Sequence, residues 1–115
     1  MRPLSEDERN VFERLRSAVS RLAEPAAAQI AYLTDLGVAP LADELALELD
    51  DLLGVALADP NLLTIPQREA LIRLDDALKH MSGAHNSDLW TTTALEHAAE
   101  WREIRDAAQT ALERL

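Results

Sequence analysis

The chain has 115 residues, 48% of them apolar and only 3% aromatic, and its formal net charge at pH 7 is -10. Its length fits one domain over residues 1–115, and its surplus of helix formers predicts an all-α fold. The acidity argues against nucleic acid, whose phosphates are bound by Lys and Arg, and against an anionic membrane surface. Because the chain has no cysteine, disulfides and thiol chemistry are excluded.

Capping and proline signals delimit the first two predicted helices. Ser5 and Glu8 form a capping box in "SEDE", so the first helix should open at Ser5. Apolar residues then recur at helical spacing as far as Pro25, which ends that helix or opens the next. The second helix, within "PAAAQIAYLTDLG", should stop at Gly37, because glycine favours the left-handed conformation at helix ends.

Three more helices are predicted from residue 41 onwards. The third runs from Leu41 to about Ala58, with Gly54 as a candidate interruption. The fourth follows a second capping box, Thr64 with Gln67, and extends to about residue 81. "SGAHNSD" has the composition of a turn, and residues 89–97 are ambiguous, with a short helical turn as one option. The last helix covers residues 98–115, which makes the fold a single-domain bundle of about five helices.

Periodicity also predicts which side chains form the core of this bundle. The expected core positions are Val11, Phe12, Leu15, Ala18, Val19, Leu22, Ala26, Ile30, Leu33, Leu41, Leu45, Leu49, Leu52, Leu53, Ala56, Ala70, Leu71, Leu74, Leu78, Met81, Trp101, Ile104, Ala108, Ala111 and Leu112.

The third helix has an unusual concentration of negative charge. The stretch "LADELALELDDLLG" contains five acidic residues and no base, and no Lys or Arg occurs between Arg21 and Arg68. Like charges one helical turn apart cost a few tenths of a kcal/mol each, and such local penalties often mark functional surfaces. A basic protein partner is the simplest use of this charge. The alternative is that the acidity only keeps the domain soluble.

Leu47 lies in the middle of these acids on a helical wheel. Its neighbours three and four positions away are Asp43, Glu44, Asp50 and Asp51. An apolar residue surrounded by carboxylates is a candidate interface anchor with a charged rim. The commoner alternative is an ordinary exposed leucine, or one that packs under a neighbouring loop.

The two tryptophans have different expected roles. Trp101 falls on the apolar face of the last helix, so core packing is expected. Trp90, in "SDLWTTT", lies on no such face. Packing against the core or a loop is the favoured interpretation for Trp90, and a surface anchor is the alternative that makes it a candidate contact.

Motifs for catalysis or metal binding are absent from the sequence. Glu44 and Glu48 are one turn apart, but the Glu-x-x-His pairs that complete four-helix metal sites are missing. His80, His85 and His97 do not have the spacing of a metal-ligand motif. A nucleophile elbow, a phosphate-binding loop and a dinucleotide fingerprint are absent as well. We therefore expect no enzymatic activity, no metal and no cofactor.

The sequence also carries an expectation about location. "MRPLSEDERN" has no apolar signal core, and no apolar run approaches the length of a membrane span. A cytoplasmic location is expected.

Several segments together resemble a family of small, all-helical actinobacterial proteins of uncharacterised function. They are "RLRSAVSRLAEP", "AQIAYL", "DELALELDDL", "REALIRLDDALKHM" and "EHAAEWREIRDAAQTALERL". The resemblance covers nearly the whole chain and implies a helical fold without catalytic residues. In size, acidity and helical make-up this family is similar to the immunity proteins that neutralise bacterial toxins.

These observations predict a non-enzymatic protein-binding domain, most concretely an immunity protein or antitoxin that covers the basic cleft of a toxin. The expected contact residues are Asp43, Glu44, Leu47, Asp50, Asp51 and Trp90. One alternative is a helical adaptor or regulator that forms a homodimer through the same surface. A small-molecule or metal-binding bundle is the third interpretation.

Overall fold

The computed structural model describes residues 3–115, in which six α-helices and one 3₁₀ helix follow one another. They are α1 (Glu6–Ala23), α2 (Ala26–Asp35), α3 (Glu44–Ala58), α4 (Ile65–His80), the 3₁₀ helix (Ala84–Leu89), α5 (Thr92–His97) and α6 (Ala99–Arg114). The all-α prediction is confirmed, but the expected count of about five helices is too low. The 3₁₀ helix and α5 account for the difference, because they form in the segments interpreted as a turn and as ambiguous. None of the helices in residues 3–115 has the length and hydropathy that crossing a membrane requires.

Both predicted capping boxes are present. The Ser5 hydroxyl accepts a hydrogen bond from the Glu8 backbone N–H, and the Ser5 N–H donates to the Glu8 carboxylate, both at 3.1 Å. Thr64 and Gln67 exchange the equivalent bonds at 3.3 and 2.9 Å. Each box satisfies backbone donors that a helix leaves without partners at its first turn.

The end of α2 confirms the prediction for Gly37. This residue has a φ of +75°. Its N–H donates to the Thr34 carbonyl at 3.0 Å, and the Val38 N–H donates to the Leu33 carbonyl at 3.1 Å. This pair of bonds is the Schellman motif, which requires a left-handed residue at the position that Gly37 occupies.

Helix α3 begins at Glu44 and not at Leu41, so the predicted start was wrong. Leu41 lies in an isolated antiparallel bridge with Thr91, and its side chain is 58% exposed. The next residue, Ala42, donates its N–H to the Trp90 carbonyl at 3.0 Å. Periodicity placed Leu41 in the core, but this backbone pairing keeps it out of the helix. Beyond Glu44 the helix is continuous to Ala58, without a break at Gly54.

Four long helices form a ring that is incompletely closed. Helix α1 packs extensively against α3 and α6, and α6 packs equally closely against α4, whereas α3 and α4 touch only sparsely. The core between them is apolar and mostly as predicted from periodicity. It includes Leu15, Ala18, Val19, Leu22, Leu45, Leu49, Leu52, Leu53, Leu71, Leu74, Leu78, Trp101, Ile104 and Ala108. The sparse contact leaves a groove on the outer side of the bundle between α3 and α4.

One buried polar junction ties the helices together. Gln29 of α2 is fully buried, and its amide nitrogen donates to the carbonyls of Arg21 and Leu22 at 3.2 and 3.1 Å. Its amide oxygen accepts from Nε and Nη2 of Arg105 at 3.1 and 3.0 Å. Arg105 also donates to the Leu95 carbonyl, and burial lowers the pKa of its guanidinium. We call this set the Gln29–Arg105 junction; it joins α1, α2, α5 and α6.

Candidate protein-binding groove

The open side of the bundle is a groove of about 510 Å³, called here the α3–α4 groove. Its α3 side is formed by Leu41, Asp43, Ala46, Leu47 and Asp50. Its other side is formed by Asp75, Leu78, Lys79, Ser82, Gly83, Ser87 and Trp90. Helices α3 and α4, which carry six of these residues, pack closely against α1 and α6 respectively.

The floor of the groove is apolar and partly open to solvent. Leu47 is 51% exposed, and Leu41, which also lines the groove, is more exposed still. Leu78 contributes from α4 and is itself part of the core. Exposed apolar residues scattered singly are ordinary, but apolar residues that line one concave surface indicate a place where another molecule binds. Leu41 therefore belongs to the groove and not to the core.

Carboxylates dominate the rim. The Asp75 carboxylate is 2.8 Å from the Lys79 ammonium. This hydrogen bond and the charge of Asp75 raise the pKa of Lys79, to which the more distant charge of Asp50 also contributes. In the described part of the chain, no ion pair involves Asp43 or Asp50, and the Asp43 side chain makes no capping bond. Within residues 3–115 neither carboxylate is thus held in an ion pair, and the charge of Asp50 acts on Lys79 only from beyond ion-pair distance.

Trp90 is held at the end of the groove by its own contacts. Its indole N–H donates to the Met81 carbonyl at 2.8 Å, at the end of α4. Its ring meets that of Trp101 edge to face, with 5.4 Å between centroids. The side chain is half-buried, so it packs on the core as the favoured interpretation expected. It also lines the groove, where its ring is a fixed apolar surface.

The predicted contact residues are thus only partly brought together. Asp43, Leu47, Asp50 and Trp90 line one groove, whereas Glu44 and Asp51 do not. Glu44 is half-buried, and its charge acts on Tyr32 of α2. For all six predicted contact residues, a role in binding stays a prediction.

The other side of α3 is engaged by α2 through Tyr32. Its hydroxyl donates to the Glu48 carboxylate at 3.4 Å, and the Arg21 guanidinium lies 3.6 Å from its ring centroid. Burial, and then the charge of Glu48, raise the pKa of the Tyr32 phenol. Part of the negative charge of α3 therefore interacts with Tyr32 within the fold. Asp43 and Asp50 are not among the charges that shift the pKa of Tyr32.

A second cavity, of about 320 Å³, lies between α4, the 3₁₀ helix and α6. It includes His80, Glu100 and Glu103. His80 Nδ1 donates to the Asp76 carbonyl at 2.7 Å, so this ring nitrogen is already used. Within residues 3–115, no three His, Asp or Glu side chains converge in a way that could hold a metal ion.

Sequence patterns alone did not identify several of the residues that line the groove. Asp75 and Lys79 carried a usable signal, because opposite charges four positions apart on a helix form a pair. Ser82 and Ser87 carried none, since only the folding of the 3₁₀ helix beside α4 brings them to the groove.

No family model matches the chain, and neither a curated protein nor a solved structure is significantly similar to it. The resemblance to the actinobacterial family and to immunity proteins stays an expectation.

Proposed function

We propose that the chain is a non-enzymatic protein-binding domain whose α3–α4 groove engages a basic partner protein. The observation that carries this proposal is the combination of an open apolar floor with two rim carboxylates, Asp43 and Asp50, that form no ion pair within residues 3–115. Opposite charges steer the two molecules together, and desolvated apolar contact then holds them.

The most concrete form of this function is neutralisation of a toxin in the cytoplasm. A basic substrate-binding segment of the toxin would lie in the groove and become inaccessible to its substrate. The net charge of -10 supports this form, because a nuclease or similar toxin that binds anionic substrates presents a complementary positive surface.

The test is a pull-down from native extract at low and moderate salt, with the wild type and the variant D43N/D50N as bait. The substitutions keep size and remove charge, so stability should change by less than about 0.5 kcal/mol. We expect a basic protein, captured stoichiometrically by the wild type, to be weakened by salt and depleted with the variant. The captured protein is then purified, and its activity should fall when the wild type is added.

A charge-matched control separates the groove from general acidity. E13Q/D106N removes two exposed charges from α1 and α6 and should capture the partner as the wild type does. With the purified pair, D43N/D50N should mainly lower the association rate and its salt dependence. Equal loss with both double variants would refute the groove as the binding site.

Self-association is the second candidate, because the chain exposes arginines of its own. Arg9, Arg14 and Arg16 are exposed on α1. Arg9 and Arg16 share one face of the helix, with Glu13 between them, and Arg14 lies on another face. In a homodimer, the Arg9–Arg16 face of one copy would lie against the groove of the other. Light scattering tests this directly: a stable dimer that D43N/D50N dissociates would favour an adaptor or regulator without a toxin.

A further inference from the structure

The sparse contact between α3 and α4 distinguishes this pair from the other neighbours in the ring. Three neighbouring pairs, α3 with α1, α1 with α6, and α6 with α4, pack closely, and the fourth does not. A bundle of this kind offers a site between two helices that has the length and direction of a further helix.

The spacing of the α3 side fits such an occupant. Asp43, Ala46, Leu47 and Asp50 are separated by three, four and seven positions, the pattern by which one helix contacts another. Gly54 continues this face one turn further, and a Cβ added there would meet nothing within 4 Å. At 1.5 Å per residue the face from Asp43 to Gly54 is about 16 Å long, or three helical turns. Small residues at 46 and 54 allow a close approach of a second backbone.

The chemistry of the groove specifies the occupant's two faces. The exposed side chains of Leu41 and Leu47, with the fixed ring of Trp90, require an apolar stripe. The carboxylates of Asp43 and Asp50, which form no ion pair within the described residues, favour cationic residues beside that stripe. We propose that the occupant is an amphipathic, basic α-helix of the partner protein, which closes the open side of the bundle.

A second copy of this chain fits the groove less well than a distinct partner. Its helix α1 carries the exposed arginines Arg9, Arg14 and Arg16 on more than one face, and has only polar residues at its exposed positions. It could pair with the carboxylates but would leave Leu47 without apolar contact. Each copy also carries a charge of -10, which opposes association.

The helix proposal rests on the proposed function and is tested separately from it, with synthetic probes. The probe is a stapled helical peptide of about 15 residues, with leucines in one stripe and lysines on its flanks. A second stapled peptide has the same composition with the leucines scattered. We expect the striped peptide to bind about tenfold more tightly than the scattered one, by fluorescence anisotropy.

The three glycine amides of the protein locate the bound peptide by NMR. Gly83 lines the groove and Gly54 lies one turn beyond Asp50 on the same face of α3, so both signals should shift, whereas Gly37 at the end of α2 should not. L47S should weaken binding of the striped peptide about tenfold, because it removes the anchor without changing charge. L36S, at an exposed leucine outside the groove, is the matched control and should bind normally.

The outcomes distinguish the two proposals. Equal affinity for both peptides, no binding of either, or unshifted Gly54 and Gly83 signals would overturn helix docking. A basic partner that depends on Asp43 and Asp50 but is indifferent to L47S would also overturn it and leave the proposed function standing. Striped-peptide binding in the groove, with no salt-sensitive partner in extract, would support helix docking and refute the proposed function.

Discussion

The Gln29–Arg105 junction and the α3–α4 groove both place polar side chains against apolar neighbours, and they differ in how those side chains are used. At the junction the Gln29 amide makes four hydrogen bonds, and no buried side-chain polar atom in residues 3–115 is left without a partner. In the groove, Asp43 and Asp50 form no ion pair with any residue in the described range 3–115, and Leu47 is half-exposed. The polar groups of the first region are bonded within the chain, whereas Leu47 and the two carboxylates of the second remain accessible to another molecule. Substitutions in the first should therefore act on stability, and substitutions in the second on binding.

The strongest test of this contrast is Q29L. Leucine has a similar size but cannot bond the carbonyls of Arg21 and Leu22 or accept from Arg105. Leaving buried polar groups without partners should lower the free energy of unfolding by about 2–4 kcal/mol, measured by urea denaturation. The matched control is Q109L, at an exposed position of α6, which should change stability little. A loss below about 1 kcal/mol would show that water replaces these bonds and that the junction is not closed.

G54A tests the open region with a substitution that should stabilise the fold. Its effect on the free energy of unfolding should be smaller than that of Q29L. Gly54 lies inside α3 with open space at its Cβ position, and its φ is not positive. Alanine should therefore raise the free energy of unfolding by about 0.5–1 kcal/mol. G37A is the internal comparison and should destabilise, because the left-handed φ of +75° there strains any side chain. If G54A also destabilises, α3 is not free on this side and the groove is more tightly packed than its contacts indicate.

The ease of predicting these two regions from sequence also differs. Periodicity located most of the core and placed Asp43, Leu47 and Asp50 on one face, because both depend only on spacing within a helix. Trp90 reaches that face through pairing between segments more than forty residues apart, as the Ala42 to Trp90 hydrogen bond shows. The inward direction of Gln29 follows from its position in α2. Its partner Arg105 is 76 residues away, and nothing in the local pattern connects them.

The Tyr32–Glu48 contact is intermediate between the Gln29–Arg105 junction and the α3–α4 groove. It is half-buried, and it joins α2 to the side of α3 away from the groove. Burial and the Glu48 charge raise the pKa of the Tyr32 phenol above its ordinary value of 10.0. Because the folded state favours the neutral phenol, its stabilising contribution is complete below the unfolded pKa and is lost as pH rises through the folded one. Tyr32 is the only tyrosine, so phenolate absorbance reports its titration directly.

We expect the Tyr32 pKa to fall in E48Q but to stay above 10.0, because burial is the larger cause and is retained. E44Q should lower the pKa less, since Glu44 is the smallest of the contributing charges. D50N, which removes a charge from the groove rim, should leave the titration unchanged. A shift with D50N as large as that with E48Q would mean that the two sides of α3 share one electrostatic field. Asp50 would then act on the folded monomer as Glu48 does, and the distinction between charge used inside the fold and charge held for a partner would fail.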